Sequence, residues 1–102
     1  MDSTKSKGKT VEVTVRTPAG HPFEFTFKDN EKVSKATRDA VYHFIGTGEL
    51  ADGDYGLALI RDGRTIELAP GARLYDYDVV DHDTLALYNK RPQVDGQFAL
   101  AA

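Results

Sequence analysis

The chain has 102 residues, a net charge of −3 and no cysteine. Its length fits one domain, and the absence of cysteine excludes disulfides, thiolate metal sites and cysteine nucleophiles. The negative charge disfavours nucleic acid as a partner, and we find no apolar run long enough to span a membrane and no apolar secretion signal, so we expect a cytoplasmic protein.

Residues 1–10 are polar, rich in Lys, Ser and Thr, and lack periodicity, which predicts a disordered leader. The next stretch alternates apolar and polar residues, which predicts two half-buried strands joined by a turn at Pro18 and Gly20. The alternating apolar residues are Val11, Val13, Val15, Phe23, Phe25 and Phe27. Two strands alone are marginal in water, so this apolar face needs a cover.

A single helix from about Lys32 to Ile45 is predicted to supply that cover. Residues 29–31 (DNE) offer N-cap candidates and an acid for the first turn, and Gly46, with Gly48 close behind, marks the expected stop. His43 is expected to interact with the dipole at the helix end. The apolar stripe consists of Val33, Ala36, Ala40, Val41 and Phe44.

Three more strands are predicted after the helix. Gly56–Arg61 and Arg64–Leu68 flank a strong Asp-Gly hairpin signal, and Thr84–Asn89 alternates again. In the irregular stretch between Leu68 and Thr84, we expect Leu74, Tyr77 and one of Val79 and Val80 to point into the core. We therefore predict a folded domain over residues 11–90 and a flexible tail over residues 91–102.

The predicted order is strand, strand, helix, strand, strand, irregular segment, strand. One helix covers one face of the sheet, which indicates an α+β fold with one wet face. A right-handed crossover through the helix places the first and last strands side by side and parallel.

This order resembles the β-grasp of ubiquitin-like proteins over about residues 11–90. The most specific part lies between Arg61 and Lys90. There RDGRTI is similar to ubiquitin's glycine hairpin, LYDYDV to its L-x-D-Y-x-I segment, and DTLALY to its last strand. The resemblance implies a mixed five-strand sheet with one main helix packed on one face, and a bacterial-type ubiquitin-like modifier.

The resemblance also directs attention to the tail. A covalent modifier of this family acts through a C-terminal glycine carboxylate, and here Gly96 is followed by residues 97–102 (QFALAA). One interpretation is a precursor that a peptidase cuts between Gly96 and Gln97. The alternatives are an ordinary glycine in a frayed tail, or a protease-recruiting end, because ALAA resembles the bacterial trans-translation degradation tag.

A partner-binding patch is implied at Pro18, Ile60 and Tyr88, the positions that correspond to ubiquitin's apolar patch. Arg64 stands where ubiquitin's main chain-forming lysine would be. Possible acceptor lysines are Lys28, Lys32 and Lys35.

No catalytic residue, metal site or cofactor is predicted. The acidic run over residues 76–83 (DYDVVDHD) matches no metal-loop motif, and acids in such a segment are usually solvated turn formers. No phosphate loop or nucleophile–base signature is present.

The leading hypothesis is a monomeric modifier that is a substrate of an ATP-dependent activating and conjugating system, not an enzyme. Its partners would be those enzymes, a processing peptidase and target proteins. The alternatives are a non-covalent docking module of the type linked to bacterial type VII secretion, and a sulfur carrier ending in a thiocarboxylate.

Overall fold

A computed structural model describes residues 9–90. Across this range the chain forms five strands, one α-helix and one 3₁₀ helix. Their bounds are β1 Thr10–Arg16, β2 Pro22–Lys28, α1 Val33–Thr47, β3 Tyr55–Arg61, β4 Arg64–Glu67, the 3₁₀ helix Leu74–Tyr77 and β5 Thr84–Asn89. The predicted tail, with Gly96 and Gln97, and nearly all of the predicted leader lie outside the described residues.

The strands form one mixed sheet in the order β2-β1-β5-β3-β4. β1 runs parallel to β5, and the other neighbouring pairs are antiparallel. The prediction of a mixed five-strand sheet with one main helix is therefore confirmed, as is the parallel pair of first and last strands. Among residues 9–90 no helix is long and apolar enough to cross a membrane.

The β1–β2 hairpin places its valines in the core. Val11, Val13 and Val15 are buried and pair with Phe27, Phe25 and Phe23 in that order. Burial of the phenylalanines decreases along β2: Phe27 is 6% exposed and Phe23 is 46% exposed. The expectation that all three phenylalanines lie in the core is wrong for Phe23. At that end of β2 the ring of His43 covers the ring of Phe23, and the two ring centroids are 3.9 Å apart.

The start of α1 differs from the prediction. Its N-cap is Lys32, which makes no side-chain cap bond, and the first turn contains no acid. The free backbone groups are satisfied from a distant loop instead: the Val33 N–H donates to the Ala72 carbonyl at 2.8 Å and the Ser34 N–H to the Pro70 carbonyl at 3.0 Å. These bonds tie the helix start to the segment after β4.

The end of α1 lies two residues beyond the predicted Ile45, at the second of the two glycines expected to mark the stop. The helix continues through Gly46 to Thr47 and ends at Gly48, whose φ of 81° is the left-handed conformation that glycine adopts without strain. His43 consequently lies outside the last turn, which contains no basic residue. Its ring lies against the ring of Phe23, at an interplanar angle of 32°, and not at the helix end where it would interact with the dipole.

The segment between β4 and β5 contributes buried side chains to the hydrophobic core. Leu68, Leu74 and Val79 are buried, whereas Val80 is 54% exposed, so Val79 is the inward member of that pair. The 3₁₀ helix was not predicted, because its single turn is too short for a periodic pattern to appear.

Candidate functional site

The structure brings the three predicted patch residues together. Pro18 lies in the β1–β2 turn, Ile60 near the end of β3 and Tyr88 near the end of β5, and all three line one shallow depression of about 450 Å³. We call these three residues the outer-face patch. The depression is also lined by Arg16, Thr17, Gly20, Thr65, Ala86, Leu87 and Asn89.

Strand alternation explains why Ile60 and Tyr88 are available. Their neighbours Leu59 and Leu87 are 1% and 2% exposed and belong to the core under α1. Successive side chains of a strand point to opposite faces, so Ile60 and Tyr88 lie on the face away from the helix, the outer face of the sheet. Both remain only partly exposed there.

Small residues form the floor beside the patch. Gly56 pairs with Tyr88 and Ala58 with Ala86 across β3 and β5. A Cβ added at Gly56 would lie 2.5 Å from Cζ of Tyr88, so the tyrosine ring lies directly across this glycine. Ala58 is 1% exposed although it lies on the outer face, which shows that larger side chains close over it.

The polar character of the site comes from its edges. Burial raises the pKa of the Tyr88 phenol, and the nearby carboxylate of Glu67 raises it further. The phenol therefore keeps its proton at neutral pH and can donate a hydrogen bond. Arg16 adds a cation to the lining. Such a surface can receive an apolar side chain and offer polar contacts around it.

Local hydrogen bonds hold Pro18 in position. Thr17 is 4% exposed, and its Oγ1 accepts the His21 N–H at 3.0 Å. The Gly20 N–H donates to the Thr17 carbonyl at 2.8 Å, and Gly20 has a φ of +96° that suits a residue without a Cβ. The turn thus presents its proline from a closed loop.

Aspartates in the acidic run over residues 76–83 accept hydrogen bonds from other parts of the chain. Asp81 accepts the Glu12 N–H at 2.8 Å, and Asp83 accepts both the Val80 N–H at 2.9 Å and the guanidinium of Arg61. Within residues 9–90 no three His, Asp or Glu side chains are grouped so as to hold a metal ion.

The three possible acceptor lysines are exposed but differ in their surroundings. Nζ of Lys35 lies 3.1 Å from carboxylate oxygens of both Glu31 and Asp39. The hydrogen bonds to these two acids, Asp39 first, raise the pKa of Lys35. These two acids therefore hold the Lys35 amine in its charged form, whereas attack on an acyl group needs a neutral amine.

Sequence reasoning missed Gly56, Ala58 and Ala86. Each is small and stands two residues from another outer-face residue, a signal that was present in the strand pattern. Only the register between β3 and β5, however, shows that these residues form one floor under Tyr88.

No protein-family model matches the chain, and no curated protein sequence matches it. Solved structures with the same fold are numerous. A designed protein based on ubiquitin is 23% identical, with a TM-score of 0.60, and the match covers 82% of this chain and 93% of that one. The ubiquitin-like domain of PLXNC1 is 18% identical, with a TM-score of 0.63, covering 79% of this chain and 99% of that one.

A third similar structure is a chain of the ESX-5 inner membrane complex. It is 23% identical, with a TM-score of 0.57, and the match covers 79% of this chain but 21% of that chain. Likeness at this level of identity shows the fold alone: the chain has a ubiquitin-like β-grasp.

Proposed function

We propose that this chain is a ubiquitin-like protein modifier, bound by its enzymes through the outer-face patch and joined to targets through Gly96. The observation that supports this proposal is the convergence of Pro18, Ile60 and Tyr88, from three separate elements, on one depression. The chain would act as a substrate of activating and conjugating enzymes in the cytoplasm, and would itself catalyse nothing.

The outer-face patch has the character of a protein-binding surface. A partly exposed aromatic ring beside an aliphatic residue and a proline offers apolar surface that a partner can bury. Aromatic residues contribute most to the binding energy at many protein interfaces. Arg16 and Glu67 place opposite charges near it, which would orient a partner. The neutral Tyr88 phenol supplies a directional hydrogen bond.

The position of the patch relative to the tail also supports the proposal. β5 ends at Asn89, one residue after Tyr88. Gly96 follows Lys90 by six residues. Such a segment reaches at most ~20 Å when extended. An enzyme that grips the patch would therefore have Gly96 within reach of its active site.

The proposed chemistry begins with hydrolysis of the Gly96–Gln97 peptide bond. The new carboxylate then attacks the α-phosphorus of ATP and releases pyrophosphate. An enzyme thiol displaces AMP to form a thioester, and a lysine amine of the target displaces the thiol to form an isopeptide. Lys28, Lys32 and Lys35 are the possible acceptors if the chain modifies itself.

The test is intact-mass spectrometry of the full chain incubated with its processing peptidase, and then with its activating enzyme and ATP. We expect loss of residues 97–102 and formation of a covalent adduct. Gly96→Ala should block adduct formation, and Ile60→Ala should weaken it through lost binding. Val80→Ala is the matched control, because Val80 is an exposed aliphatic residue outside the patch. A chain that keeps its full mass and forms no adduct would contradict the proposal.

A second candidate function is a non-covalent docking module, favoured by the likeness to a chain of the ESX-5 inner membrane complex. Such a module would use the same patch but no reactive carboxylate. Deleting residues 97–102 separates the two functions. The docking module would bind its partner as before and form no adduct, whereas the modifier would no longer need its peptidase.

A further inference from the structure

β2 is an edge strand whose outer side carries unpaired backbone groups. In the sheet formed by residues 9–90 its only neighbour is β1. At one end of the hairpin the Thr17 N–H donates to the His21 carbonyl at 3.0 Å, and at the other the Asp29 N–H donates to the Lys9 carbonyl at 2.7 Å. Hydrogen-bonded pairs recur at every second residue between these ends. The odd-numbered residues of β2 therefore face β1, and the even-numbered residues face away.

Bonds on the other side of β1 support this assignment independently. The Thr14 N–H donates to the Asp83 carbonyl at 3.0 Å, and the Glu12 carbonyl accepts the His82 N–H at 2.7 Å. Even-numbered residues of β1 thus face the β5 side, which leaves its odd-numbered residues to pair with β2. The backbone groups of Glu24 and Thr26 and the N–H of Lys28 consequently point to the open edge, whereas the Lys28 carbonyl accepts the Glu31 N–H at 3.0 Å.

We propose that this edge pairs with β2 of a second copy of the chain, antiparallel, about a two-fold axis at Thr26. Thr26 then stands opposite Thr26 of the second copy, and Glu24 opposite its Lys28. Outward-facing residues meet each other, and the two Thr26 residues exchange two backbone hydrogen bonds. Each Glu24 carbonyl accepts the Lys28 N–H of the other copy, which brings the total to about four, because the Lys28 carbonyl is already the acceptor of the Glu31 N–H. The two five-strand sheets would join into one continuous sheet with a self-complementary interface.

Charge complementarity selects the second copy as the occupant and fixes the register. Edge strands commonly carry lysine to discourage pairing, but here Lys28 is matched by Glu24 at the spacing that places the opposite charges together twice. In the two-fold register about Phe25, Glu24 would face Thr26 and Lys28 would face Pro22, which has no N–H for the ladder. In the register about Phe27, Lys28 would face Thr26 and Glu24 would face Asn30, which lies outside β2. Both registers lose the two charge pairs.

The side chains on the inner face fit the same register. Phe25 would stand opposite Phe27 of the second copy, in a pair that is not hydrogen-bonded and therefore brings the side chains close. Phe25 is only partly buried in the single chain, so it has surface to contribute. Of the outer-face patch, Ile60 and Tyr88 lie on β3 and β5 and Pro18 lies in the β1–β2 turn, so none of its members is among the paired residues 24–28. The proposed dimer does not rest on the proposed function, although Lys28, one of the possible acceptor lysines, lies in its interface, and it differs from the monomer expected from sequence.

The experiment is sedimentation equilibrium of the full chain from micromolar to millimolar concentration. The wild type should form a dimer whose population rises with concentration and falls with added salt. Glu24→Lys and Lys28→Glu each create two like-charge pairs, so each should weaken dimerisation by about tenfold or more. The double variant Glu24→Lys/Lys28→Glu restores opposite charges and should return the dissociation constant to within about threefold of the wild type.

Glu67→Lys is the matched control, because it makes the same charge change on the other edge strand, β4, and should leave dimerisation unchanged. Glu24, Lys28 and Glu67 are all exposed in the single chain, and matching unfolding temperatures would exclude a folding defect. A wild type that stays monomeric at millimolar concentration would overturn the proposal. So would single variants that dimerise like the wild type, or a folded double variant that stays as weak as either single one.

Discussion

Replacing Gly56 with alanine would displace the ring that closes the outer-face patch. The new Cβ would meet Cζ of Tyr88 at 2.5 Å, the hydroxyl at 2.6 Å and Cε1 at 2.9 Å. Ordinary contact begins at 3.4 Å, so the ring must move by about 0.9 Å. The clashing atoms lie at the far end of a side chain, so we expect the ring to move and the strand pairing to persist.

Two opposing effects set the size of the stability change. Overpacking usually costs about 1–3 kcal/mol, and alanine offsets about 0.4–1 kcal/mol by restricting the unfolded chain. We expect a net loss of about 1 kcal/mol in the free energy of unfolding, which lowers the melting temperature by about 4–8 °C in a domain of this size. Because the moved ring is better hydrated, the pKa of Tyr88 should fall toward its ordinary value of 10.0.

Thermal unfolding and NMR titration of ¹³Cζ-labelled tyrosine measure the two effects separately. Gly71→Ala is the matched control, because its Cβ would meet nothing within 4 Å and its φ is not in the left-handed region. The reasoning is refuted if Gly56→Ala is as stable as Gly71→Ala and leaves the pKa of Tyr88 unchanged.

Three further predictions concern single residues. The raised pKa of Tyr88 means that its stabilising effect is complete below about pH 10 and lost as pH rises through the folded-state pKa. The free energy of urea unfolding should therefore fall less steeply above about pH 10 in Tyr88→Phe than in wild type; parallel curves would contradict this. Gly46→Ala should raise the free energy of unfolding by about 0.5–1 kcal/mol, because the helix has open space there; thermal unfolding checks it, and any loss of stability refutes it. Asp83→Ala removes the acceptor for Arg61 and for the Val80 N–H and should cost about 1–3 kcal/mol. Hydrogen exchange should then accelerate at residues 79–83, and unchanged protection there would count against a structural role.

The presence of the strands and of the helix could be predicted from sequence, because each type of element has its own local period of apolar residues. The alternating valines of β1 and most of the apolar stripe of α1 are buried in the structure, whereas of the β2 phenylalanines only Phe27 is buried. The start of α1 could not be predicted, because its cap bonds come from Ala72 and Pro70, far along the chain. Its end was misplaced because two glycines lie close together, and only Gly48 has the left-handed backbone.

The residues of the outer-face patch were predicted from the resemblance to ubiquitin-like proteins, whereas the depression that they line is seen only in the structure. Alternation alone states that Ile60 or Leu59 points outward, and burial decides for Ile60. The floor under Tyr88 depends on cross-strand register, which no local pattern specifies. Phe23 was expected in the core by alternation, but its position at the edge of the sheet leaves it beside His43 and partly in solvent.

The most direct test of the modifier proposal is mass spectrometry of tryptic digests of cells that produce the full chain. Trypsin cuts after Lys90 but not between Arg91 and Pro92, so a conjugated chain leaves residues 91–96 (RPQVDG) on the acceptor lysine. We predict target lysines that carry this remnant and lose it in cells producing Gly96→Ala. Digests in which residue 96 is always followed by Gln97, and no lysine carries the remnant, would contradict the account.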